Sequence, residues 1–186
     1  RLYGSWFGAY LTEDSDNNLL KDNTATGNVN DIYLETDSNN NTGCNYAPII
    51  VDNNANSVYT TPFDNMYLSS NTKLCPGNYN IADTAEIGVM IINSGNIALD
   101  CQNASITGTN TSTGWGIHNP GFDYVTIQNC NINNYFLGIA LATDSNYNII
   151  SKNNLSGNTG GIRFWYSDNG TAFDNIANNN EQYGII

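Results

Sequence analysis

A glycine followed by a branched apolar residue recurs through the second half of the chain, as Gly88-Val89, Gly116-Ile117, Gly138-Ile139, Gly161-Ile162 and Gly184-Ile185. The steps along the numbering are 28, 22, 23 and 23. Other columns keep the same step: Ile127, Ile150 and Phe173 are 23 apart, and Ile132 matches Leu155. Several columns in one register at one period mark a repeat architecture, in which each unit buries its apolar face only by stacking on the next.

Inside each unit the period falls to two. Val89 and Ile91, Ile139 and Leu141, then Ile162 and Phe164 are predicted to face inward, with Met90, Ala140 and Arg163 outward. The strands are separated by polar corners such as Asn93-Ser94-Gly95-Asn96, Thr143-Asp144-Ser145-Asn146 and Ser167-Asp168-Asn169-Gly170. Such residues tolerate the left-handed backbone of a sharp corner. Of 186 residues 35 are Asn, and stacked corner amides hydrogen-bonding along the axis give that excess a structural role. The expected fold is all-β: a parallel β-helix of about four to five coils over residues 71–186. Residues 1–70 show no such repeat and are read as a β-rich cap or assembly segment. Strands are expected there at Asp31 to Thr36, Tyr46 to Asp52 and Ser57 to Thr61, with polar loops at Asp14 to Asn30 and Asp37 to Gly43. The aromatic run Arg1 to Tyr10 either packs on its own coils or reaches a neighbouring subunit. The chain stops at Tyr183-Gly184-Ile185-Ile186, just inside a new strand, which predicts continuation by further residues, a partner or the next copy in a fibre.

The stretches Leu74-Cys75-Pro76-Gly77-Asn78-Tyr79, Asn96-Ile97-Ala98-Leu99-Asp100-Cys101 and Val125-Thr126-Ile127-Gln128-Asn129-Cys130 resemble the right-handed parallel β-helix repeat proteins of the pectate-lyase-like superfamily. The resemblance is closest to Asn-rich archaeal surface proteins and to periplasmic copper-processing β-helix relatives, and covers roughly residues 70 to 186. It implies the fold, with right-handed coils. The same scaffold carries lyases, tailspikes, adhesins and structural proteins, so it does not by itself choose a function.

Composition narrows the choice. Five Lys+Arg stand against 17 Asp+Glu, a net charge of -12. A nucleic-acid reader needs a basic stripe to displace counterions, so nucleic acid is excluded as a partner. No apolar run approaches the roughly 20 residues of a transmembrane helix. The absence of an initiating Met and of an apolar leader is read as a mature secreted chain or a cut fragment. Cys44, Cys75, Cys101 and Cys130 include no C-x-x-C pair, and one His cannot complete a zinc site. An even count in an acidic chain favours disulfides, with all three connectivities open. Five sequons, at Asn40, Asn103, Asn110, Asn154 and Asn169, are candidate N-glycosylation sites for a secreted chain.

A lyase on this fold would, by the resemblance, need clustered acids for calcium and a basic residue as base. Asp123, Asp144 and Asp168 near successive corners are single acids without a D-x-D pattern, and read as solvated corner residues beside Arg163. Two Met and one His offer few ligands for copper. No metal, cofactor or catalytic residue is therefore assigned. The outward column instead reads Met90, His118, Ala140, Arg163 and Ile186, with Ile92 and Trp165 two places further on. Met90, Ile92, His118, Arg163 and Trp165 together form an expected partner or carbohydrate surface. The reading that follows is an extracellular, glycosylated structural or adhesive surface protein that self-associates, as the repeating subunit of a filament or surface layer. The alternative is a polysaccharide lyase or glycosidase, whose paired carboxylates the sequence cannot position.

Overall fold

The computed structural model describes residues 5–12, 15, 17–35, 42–46, 50–52, 57–109 and 111–186. It contains parallel strands and, among the described residues, no α-helix. Two compact units are distinguished: residues 1–61 with 70–75, and residues 62–69 with 76–186.

The C-terminal unit is a three-sided stack. Its longest sheet orders Met66–Leu68, Met90–Ile92, Trp115–Asn119, Leu137–Leu141, Gly160–Phe164 and Tyr183–Ile185 as six parallel neighbours. This is more rungs than the four to five coils expected. A second side stacks Ala98–Asp100, Thr126–Gln128, Ile149–Ser151 and Thr171–Phe173, and a third stacks Asn78–Asn80, Ser105–Thr107 and Asn131–Asn133. Leu99, Ile106, Ile117, Ile127, Ile132, Ile139, Ile150, Leu155 and Ile162 are completely buried. Each contributes about 1.5–3 kcal/mol through removal from water, set against the chain entropy lost on ordering.

The glycine repeat marks the places where rungs approach most closely. A Cβ at Gly138 would stand 2.8 Å from the Gly161 carbonyl oxygen, and one at Gly161 would stand 2.3 Å from that of Gly184. Neither backbone oxygen can move aside, so only a residue without a Cβ fits. The corners repeat as well. Asn134, Gly157 and Asn179, one coil apart in succession, all have positive φ, of 62°, 75° and 55°. Tyr124, Tyr147 and Asn169 do the same at 58°, 56° and 56°.

Beneath these corners the Asn side chains form ladders. Asn153 donates to Ile127 O and accepts from Cys130 N, while Asn175 Oδ1 accepts from both the backbone N and the side-chain amide of Asn153 at 3.0 Å. Asn158 accepts from Tyr135 N, and Asn180 from Asn158 N. The buried amides of Asn153 and Asn158 are thereby satisfied one rung away, while Asn180 at the end of its ladder accepts through Oδ1 and leaves Nδ2 without a partner.

The register corrects the sequence reading in two places. Met90 pairs with Ile117, so Val89, not Gly88, lies opposite Gly116. Gly88 is taken up in a turn at φ +116° closed by hydrogen bonds to Asp83, and the strand begins one place late. Met90 and Ile92 consequently face inward and are fully buried, while Ile91, also buried at 5% exposure, takes the register column of His118. Near the C-terminus Ile150 pairs with Ala172, and Phe173 pairs with Ser151 and is exposed.

The N-terminal unit, where the sequence offers no repeat, also stacks strands in parallel. Phe7–Leu11, Asn30–Leu34 and Ile50–Asp52 form one sheet, and Thr42–Asn45 with Ser57–Thr60 another. The strands at Phe7–Leu11 and Thr42–Asn45 go beyond the sequence reading, the second beginning inside the stretch read as a loop. Thr36 and residues 47–49 of the expected strands, with residues 14, 16 and 37–41 of the expected loops, lie outside the described residues. Leu20, Ala25, Ile32, Leu34 and Ile50 make this unit's core. Phe7 stacks on Tyr10 at 4.5 Å and meets Tyr33 at 5.1 Å, so part of the aromatic N-terminal run packs on the unit's own second rung. Trp6 is exposed, and residues 1–4 lie outside the described residues.

Candidate functional site

The outer face of the six-stranded sheet carries one continuous register column: Tyr67, Ile91, His118, Ala140 and Arg163. Of the expected surface residues, His118 and Arg163 belong here, two rungs apart at about 10 Å. Trp165 follows two positions after Arg163 and is exposed, whereas Met90 and Ile92 are in the core.

His118 is held in a specific state. Its Nδ1 lies 2.9 Å from the Ile87 carbonyl oxygen. A carbonyl only accepts, so Nδ1 carries the hydrogen and Nε2 keeps its lone pair. The Trp115 ring meets the imidazole edge-on with centroids 4.4 Å apart. Asp83 fixes both neighbours: Oδ2 accepts from Gly88 N and from Trp115 N, each at 2.9 Å. Gly88 is required there, because a Cβ would lie 2.9 Å from His118 Cβ on a backbone already at positive φ. Burial lowers the His118 pKa, opposed by its bond to Ile87 O and by the charge of Asp83.

Two rungs on, the Arg163 guanidinium sits 4.2 Å from the centroid of the Trp165 ring. Trp165 is 45% exposed and Tyr166, beside it at 6.4 Å, is 75% exposed. Arg163 makes no ion pair among the described residues. An aromatic ring with a guanidinium on it offers an apolar face and unused donors together, which suits a hydroxylated or anionic ring.

The corner acids behave differently. Asp123 Oδ1 accepts from Asn146 N at 2.6 Å, and Asn146 Oδ1 accepts from Asp168 N at 2.7 Å, so they belong to a corner ladder. Asp144 and Asp168 are exposed. Among the described residues no three of His, Cys, Asp and Glu come together as a metal site. Cys101 and Cys130 are joined in a disulfide with Cα atoms 4.8 Å apart, the spacing of adjacent rungs.

A family model described as a right-handed β-helix region matches residues 65–186. The chain belongs to the right-handed β-helix family. Neither the curated proteins nor the solved structures give a match to it.

In this β-helix the sequons at Asn103, Asn154 and Asn169 are all exposed, the first and last on positive-φ corners. Asn40 and Asn110 lie outside the described residues. A glycan on any of the three would leave the core untouched. Sequence reasoning missed Asp83 and Trp115, which are far apart in the chain and meet only through the register. It also missed Tyr124 and Tyr147, exposed and stacked with centroids 5.0 Å apart at successive corners. Their separation by one full coil step was the available signal.

Proposed function

We propose that this β-helix is an extracellular, N-glycosylated structural or adhesive surface element whose six-stranded sheet presents the contact face. The observation that carries this reading is the Arg163–Trp165 pair beside the exposed Tyr166, an aromatic and cationic platform at the end of the strand Gly160–Phe164. The disulfide between Cys101 and Cys130 supports an oxidising compartment, and the exposed sequons support a glycosylated one. A second copy of the chain is the expected partner, in keeping with a structural role. Carbohydrate is a second reading, favoured specifically by the half-exposed Trp165 ring.

The test is production through a glycosylating secretory route, followed by intact mass, light scattering and retention on immobilised polysaccharides. Mass lost on enzymatic removal of N-glycans, with Asn103, Asn154 or Asn169 converted to Asp, is the expected result. Trp165→Ser and Arg163→Gln should reduce assembly if a second copy is the partner, and retention if carbohydrate is. An unglycosylated monomer that neither assembles nor binds overturns the reading. Product release from a polysaccharide, abolished by Asp144→Asn or Asp168→Asn, would replace it with an enzyme.

A further inference from the structure

One corner column of the C-terminal unit keeps a single backbone conformation while its residue type changes. Asn96, Tyr124, Tyr147 and Asn169 occupy equivalent places on successive coils, with φ of 58°, 58°, 56° and 56°. Asn96 N donates to Asp123 O, Tyr124 N to Asn146 O and Tyr147 N to Asp168 O, at 3.0, 3.1 and 2.9 Å. Each residue is thus bonded to the one that precedes its counterpart on the next coil, and the column leaves the stack along one edge.

The two tyrosines stack. Their ring centroids are 5.0 Å apart and their planes 6° from parallel. That separation is close to the rung spacing of about 4.8 Å, so the rings face one another along the axis. One face of Tyr147 covers Tyr124, and the other is turned toward the rung of Asn169, where a short amide takes the place of a third ring. Tyr147 is accordingly 48% exposed. The place of Asn169 over this face is fixed on both sides: Asp168 N donates to Asn146 Oδ1 at 2.7 Å, and Thr171 N to Asn148 O at 2.8 Å. Asn169 is itself exposed and opens the sequon Asn169-Gly170-Thr171. The sequon at Asn154 differs, since its register neighbours are Asn131 and Ile176 and neither offers a ring.

We infer that the open face of Tyr147 is the seat of the first sugar of a glycan on Asn169, an inference that rests on the N-glycosylation proposed above. Asn169 Nδ2 takes the anomeric carbon of a lipid-phosphate-linked sugar donor. The C1–Nδ2 bond forms, the C1–O bond to phosphate breaks, and one amide proton is lost. The pyranose then continues the column as its third ring, with its C–H face on the negative face of the Tyr147 π system.

The test uses the full chain secreted through a glycosylating route. Glycan removal in heavy-oxygen water maps the occupied sequons and separates enzymatic conversion of Asn169 from deamidation at Asn169-Gly170. NMR of the glycoprotein should show nuclear Overhauser contacts between the first sugar on Asn169 and the Tyr147 ring, with the sugar protons shifted upfield by the ring. Thr171→Ala removes the sequon and keeps the tyrosine stack, and should lower the thermal midpoint by about 2–4 °C. In a Tyr147→Phe background the contacts and the midpoint difference should persist; in Tyr147→Ser both should vanish. An occupied Asn169 whose first sugar does not touch the ring, or a midpoint difference unchanged in Tyr147→Ser, overturns this inference and leaves the proposed function standing. So does an unmodified Asn169 beside a glycosylated Asn154. A chain carrying no N-glycan at any sequon overturns both.

Discussion

From Ile117 onward the C-terminal unit climbs from rung to rung by a nearly constant step, through Ile139 and Ile162 to Ile185. In the N-terminal unit the step shrinks along the chain, from the pair Phe7–Asn30 through Ile32–Ile50 and Thr42–Ser57 to Thr60–Leu74. Both units pair their strands in parallel and bury an apolar core, so stacking does not require a constant length of coil. It requires strand spacing and a filled interior, while corners shorten freely. The constant step adds a repeated polar interior. Where the N-terminal unit does step by 22, the same device returns: Asn45 Oδ1 accepts from Asn23 N and its side-chain amide, and Asn45 Nδ2 donates to Leu20 O. Asn175 makes the matching bonds to Asn153 and Ile150.

Perturbations of decreasing size can break this comparison. Removing the Cys101–Cys130 bond by Cys→Ala at both positions should destabilise the C-terminal unit by about 3.5 kcal/mol. Denaturant unfolding would read this, and a loss shared by probes in both units would mean that they unfold together. Gly161→Ala and Gly8→Ala place a Cβ 2.3 Å from Gly184 O and 2.4 Å from Asp31 O. Each should cost about 2–3 kcal/mol, because backbone must shift. Asn175→Ala and Asn45→Ala remove matching ladder acceptors, and each should cost about 1.5 kcal/mol. Equal losses would establish one device in both units; a neutral Asn45→Ala would confine it to the regular coils.

A smaller effect is expected from pH. The folded state holds His118 below the ordinary imidazole pKa, chiefly by burial, so the unfolded chain binds more protons as pH falls. The stability contribution of neutral His118 is full above the ordinary value near 6.5 and declines as pH drops from there toward the lower folded value. Thermal midpoints at pH 7.5 and 5 should differ more for the native chain than for His118→Gln. The smallest change belongs to the exposed Tyr124–Tyr147 stack, where Tyr147→Ser should cost less than about 1 kcal/mol.

The sequence carried the period, the parallel strands, the inward places of Ile139, Leu141 and Ile162, and the polar corners. These are local: alternation, glycine and turn chemistry act within one coil and repeat in the next. It misplaced Met90 and Ile92 because the long interval from Gly88 to Gly116 hides a turn in which Gly88 closes onto Asp83, shifting the alternation by one place. A slip of one exchanges core for surface in a strand. The site was half legible for the same reason. His118 and Arg163 follow from alternation. The Asp83–Trp115 bond and the fixed imidazole depend on which residues meet between distant segments, whereas the guanidinium over Trp165 is a local contact two positions along the chain.

By itself, then, the sequence determined that this chain coils and which residue types fill its inside and corners, because burial and turn preference are properties of short segments. Only the tertiary structure decided that Cys101 meets Cys130, and that the irregular N-terminal segment stacks in parallel as well. Those outcomes rest on register between segments a coil or more apart in the chain, where hydrogen-bond pairing and close approach select one alignment among several that the apolar pattern permits.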